Sequence, residues 1–102
     1  MVKEVIWSRR AQNDRKEIFT YWNQRNKSNI YSIKLNELFK KAVNLISEYP
    51  QLGKHTNNKN VRIKVVRDYL IIYELDEKSR LLILSIWVSR QNPKKMKRIL
   101  NT

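Results

Sequence analysis

Cysteine is absent from the 102 residues, and histidine, glycine and proline occur only once, once and twice. Without thiols the chain has no disulfide staple, no thiolate nucleophile and no cysteine metal site, which suits a reducing cytoplasm. The single histidine, His55, has neither a second histidine nor a neighbouring carboxylate pair. It reads as a solvent-exposed loop residue, so no metal and no cofactor is expected. No apolar run is long enough for a signal peptide or a membrane span, and the expectation is a soluble cytoplasmic protein with no membrane contact. Acids are scarce as well: 9 stand against 22 lysines and arginines, a formal net charge of +13. The excess is spread over both halves, so a basic tail does not explain it. A compact domain this basic repels itself, and the usual reason is a polyanion target or an acidic protein partner. One domain over residues 1–102 is expected.

The chain is organised around residues 61–90. Val61-Arg62-Ile63-Lys64-Val65-Val66 alternates apolar and cationic side chains, the pattern of a strand with one buried and one wet face, and the wet face is expected to carry Arg62 and Lys64. Residues 69–75 and 81–88 are nearly all apolar and rich in β-branched and aromatic side chains, which marks inner strands. Arg67-Asp68 and Asp76-Glu77-Lys78-Ser79 are links too short for anything but antiparallel neighbours, although neither holds a glycine.

Ahead of this meander, residues 4–7 form a strand candidate, and Ser8 is placed to cap a helix over about 9–26 in which Ala11, Ile18, Phe19 and Trp22 recur at helical spacing. Arg9 and Arg10 sit at the positive end of that helix, a mismatch of a few tenths of a kcal/mol that a solvated side chain tolerates or a partner explains. After a polar break at 26–29, Tyr31, Leu35, Leu38, Ala42, Leu45 and Tyr49 trace a second helix's core stripe, ended by Pro50 and Gly53. Residues 54–60 read as a polar loop. Beyond the meander, Arg90 to Leu100 is basic throughout, with Pro93 suited to open a short helix. The expected fold is α+β: an N-terminal strand, a helical hairpin, then a three-stranded antiparallel meander with the helices packed on one sheet face.

Several stretches resemble, in order, the RelE/ParE superfamily, toxins of bacterial type II toxin–antitoxin pairs of the plasmid-stabilisation type. They are Trp7-Ser8-Arg9-Arg10-Ala11, Tyr49-Pro50-Gln51-Leu52-Gly53-Lys54, Val61-Arg62 through Asp68-Tyr69-Leu70-Ile71-Ile72-Tyr73, and Ile86-Trp87 leading to Arg90-Gln91-Asn92-Pro93. The resemblance implies a RelE-like fold and a cognate antitoxin that binds the toxin in a hetero-oligomer and masks it. It implies one of two targets, the ribosome with its mRNA, which RelE-like members cut without metal, or DNA gyrase, which ParE-like members inhibit.

For the enzyme, the resemblance maps a basic catalytic set onto Arg62, Lys64 and Arg90. The position after Tyr69, where those enzymes place arginine, is Leu70, and nothing after Trp87 is aromatic or histidine. The set could stabilise phosphorane charge, but proton transfer has no obvious agent beyond Lys64. An inhibitor needs only an exposed surface of arginine and aromatic anchors. Arg62, Lys64, Arg67, Tyr69 and Arg90 are the expected target contacts, gathered with the tail on the sheet's open face. The two absences favour the ParE-like mode.

Overall fold

The computed structural model describes residues 2–58 and 60–89. Arg90 and the short helix expected after Pro93 lie outside the described residues. The Ser8 hydroxyl accepts from the Ala11 amide at 2.9 Å and opens helix α1, Arg9–Asn26. α1 ends where Lys27 turns left-handed at φ 50°, with the Lys27 and Ser28 amides both donating to the Asn23 carbonyl. The chain reverses at once into α2, Ile30–Glu48. Pro50 stops α2 as expected: Tyr49 is pushed to φ −130°, and Pro50–Leu52 make one 3-10 turn.

Five strands follow the order β1-β5-β4-β3-β2, with β1 at Glu4–Trp7, β2 at Lys54–His55, β3 at Val61–Val66, β4 at Tyr69–Leu75 and β5 at Arg80–Val88. The antiparallel meander β3–β4–β5 is the predicted one. Two pairings were not legible beforehand. β1 lies parallel to β5, which the long intervening chain permits. The loop expected over 54–60 instead begins with β2, whose Lys54 and His55 pair with Ile63 and Arg62. The turns manage without glycine because Arg67 and Ser79 take positive φ, at 57° and 61°. Asp76 fastens the second turn, accepting from the Lys78 and Arg80 amides, each at 2.9 Å, and from Arg80 Nε at 2.6 Å.

Between Ile72 and Tyr73 the β4–β5 register slips, leaving Leu84 as a bulge. The backbone groups freed there are recaptured by α1 and its cap. Ser8 Oγ donates to the Leu84 carbonyl at 2.8 Å, and the Ile86 amide donates to Asp14 Oδ2 at 3.0 Å. Both helices pack on one face of the sheet, where Leu35, Phe39 and Ile46 meet Ile71, Tyr73, Leu81 and Ile83 in a core excluded from water. Ile63, Leu70 and Ile72 form a second buried cluster on the other face, with Val61, Leu84 and Trp87 packed against it.

Candidate functional site

Strand register decides which way each cation points. Arg62 and Lys64 face Tyr73 and Ile71 of β4, both members of the helix-side core, while Val61, Ile63 and Val65 occupy the opposite face. Arg62 and Lys64 therefore do not stand on the sheet's open face, which corrects the expected patch. Alternation separates the two sets of side chains but does not say which set shares a side with the helices. Here both faces carry an apolar cluster, and Val66 is the residue through which β3 joins the helix-side core.

Arg62 is engaged within the fold. Its Nη1 donates to the carbonyls of Gln51 at 3.1 Å and Gly53 at 3.0 Å, and lies 3.4 Å from Nε2 of His55. Its cross-strand neighbour Tyr73 donates from its hydroxyl to the Pro50 carbonyl at 2.7 Å and accepts from the Gly53 amide at 2.9 Å. Burial raises the Tyr73 pKa above 10.0, against the pull of the Gly53 amide and the Arg62 charge. Gly53 is required for space rather than for conformation, since its φ is −66°. A Cβ there would come within 2.8 Å of Tyr73 Cε1. Arg62 and Tyr73 together clamp the turn that ends α2.

Of the remaining expected contacts, Lys64 is half-buried and Arg67 is exposed in the β3–β4 turn. Tyr69, also among the expected contacts, sits in the core. It is 5% exposed, its hydroxyl accepts from Trp22 Nε1 at 2.6 Å, and burial raises its pKa. Tyr31 and Phe39 pack edge-on against Trp22 and Tyr69, respectively. Arg90 lies outside the described residues.

Sequence reasoning missed a groove on the helix-free face. Val61, Ile72, Leu84 and Trp87 line an open concavity of about 300 Å³, with Arg10, Asn58 and Ser85 among its walls. Arg10 arrives from the first turn of α1, which Ser8 and Asp14 hold against the β5 bulge. Asn58 arrives from the β2–β3 loop, where the Thr56 hydroxyl accepts from its amide at 3.1 Å. An apolar floor beside a guanidinium, an amide and a hydroxyl can seat an apolar side chain with a nearby carboxylate. Among the described residues, the lining includes no carboxylate, imidazole or phenol that could move a proton. The only advance signal was the misfit of Arg9 and Arg10 at a helix N-terminus. Leu84 and Ser85 are unmarked in a strand that is apolar almost throughout.

The fold has a known counterpart. A solved structure described as the chromosomal ParDE TA system from P. aeruginosa shares the fold with a TM-score of 0.66 at 16% sequence identity, over 86% of this chain and 96% of that one. No curated protein sequence matches the chain. The family model for the ParE toxin of the type II toxin–antitoxin system parDE matches residues 5–93. With a match of that extent, the chain belongs to the ParE toxin family of type II toxin–antitoxin systems.

Proposed function

We propose that this toxin arrests growth by inhibiting DNA gyrase through protein contacts, without cutting RNA, and that a cognate antitoxin neutralises it. The observation that carries this reading is the placement of the β3 side chains. The helix-free face carries Val61, Ile63 and Val65 where a charge-stabilising cradle would need cations, and Arg62 is bonded to backbone carbonyls. An apolar groove with Arg10 on its wall suits a polypeptide better than a phosphodiester. Family membership supports the toxin role and a protein antitoxin. A charge of +13 favours acidic partners, and Lys64 and Arg67 remain as target contacts.

The test pairs two assays on the purified chain: supercoiling by DNA gyrase, and cleavage of mRNA on the ribosome. Loss of supercoiling with intact mRNA is the expected result. Cleavage of ribosome-bound mRNA with unimpaired supercoiling would sink this reading. In cells induced for the toxin alone, thymidine incorporation is expected to fall before amino-acid incorporation.

A further inference from the structure

One surface is explained neither by the core nor by the groove. Leu45, Tyr49 and Leu52 are large apolar side chains, yet they are 40%, 58% and 53% exposed. Leu45 and Tyr49 are four residues apart at the end of α2, where the Tyr49 amide donates to the Leu45 carbonyl at 2.9 Å. Leu52 follows on the 3-10 turn, its amide donating to the Tyr49 carbonyl at 3.0 Å. This is the segment that Arg62 and Tyr73 clamp from β3 and β4. A loop held by the sheet at three successive points, Pro50, Gln51 and Gly53, presents its side chains with little conformational freedom left to lose. The part of each side chain that stays in water contributes nothing to the stability of the fold.

We infer that Leu45, Tyr49 and Leu52 form a preorganised docking surface for an acidic, amphipathic segment of the protein that this toxin poisons. The inference rests on the reading that the target is a protein. Charge favours that occupant: exposed Lys41 stands one turn before Leu45, exposed Lys54 follows Gly53, and Glu48 is the only acid between them. Charge also disfavours a second copy of this chain, since two domains of +13 repel. The surface adjoins residues on the helix side of the sheet, whereas the groove lies on the other face. The two can therefore be occupied at once. Tyr49 is suited to anchor the contact, because a tyrosine buries a large rigid area for two rotatable bonds.

The test is the double variant Tyr49→Ala/Leu52→Ala, which is expected to stay folded with a melting temperature lowered by only a few degrees, because both side chains are about half exposed. About tenfold more variant than wild type is expected for half-inhibition of gyrase supercoiling, the loss typical of two anchor residues. Equal potency of the two proteins would overturn the docking surface and leave the gyrase reading standing. If the wild type spares gyrase, that reading falls, and growth arrest in induced cells becomes the readout. Arrest by the wild type but not by the variant then supports docking on another protein, and arrest by both overturns it. Unchanged inhibition combined with lost antitoxin affinity, or with lost self-association, would assign the surface to those partners and overturn the inference too.

Discussion

At the scale of single residues, the side chains that look most ordinary in the sequence carry specific loads. Gly53 stands at a helix end, where glycine is usually valued for its left-handed conformation, but its φ is −66° and the need is for room beside Tyr73. Gly53→Ala is expected to destabilise the protein by about 1–3 kcal/mol, because Tyr73 is 1% exposed and has nowhere to retreat. A chemical denaturation curve gives the answer. Ser79 presents the opposite case, a residue with a Cβ at φ 61°. Replacing it with glycine is expected to raise stability by roughly 1 kcal/mol, the relief of a left-handed side chain, read as a shifted urea midpoint at unchanged slope.

At the scale of elements, the junction between β1 and α1 does more than connect them. Asp14 gives the Ile86 amide its partner at the β5 bulge. Asp14→Ala leaves that amide unsatisfied and is expected to cost about 1–3 kcal/mol. Asp14→Asn, which keeps an accepting oxygen, is expected to recover most of the loss. The clamp on the α2 terminus admits a sharper probe. Arg62→Ala removes the hydrogen bonds to Gln51 and Gly53 while the Tyr73 bonds remain. Trypsin is then expected to cut after exposed Lys54 several times faster than in the wild type, with global stability changed far less. Unchanged cleavage would mean that Tyr73 holds the turn alone.

At the scale of the whole molecule, pH acts from two directions. Tyr69 and Tyr73 hold their protons more tightly in the folded protein than the ordinary value of 10.0, chiefly because burial disfavours the phenolate. Their contribution to stability is complete below pH 10 and is lost as pH rises through the raised folded values. Asp76 behaves in the reverse sense. The Arg80 amide, with the Arg80 side chain and the Lys78 amide, lowers its pKa below 3.8. Its contribution is present above that value and is lost as pH falls through the lowered one. Thermal melts across the pH range are expected to show an alkaline decline above pH 10. They are also expected to show a smaller acid decline that Asp76→Asn removes. Among the described residues no helix is long and apolar enough to cross a membrane.

The sequence by itself determined the local elements, because the forces that set them are local. Ser8 must cap, Pro50 must expel Tyr49 from the helix, and runs of β-branched residues joined by short links must fold as antiparallel neighbours. It also determined the charge, a formal +13 spread over both halves of the chain. Only the tertiary structure decided which face of the sheet the helices cover, because a two-residue period is symmetric between faces and each face here has its own apolar cluster. That one choice set Arg62 against the turn that ends α2, placed Tyr69 in the core, and left Val61, Ile63 and Val65 on the side where the groove opens. The bulge at Leu84 and the approach of Arg10 were hidden for the same reason: both depend on residues more than 70 positions apart that no local pattern connects.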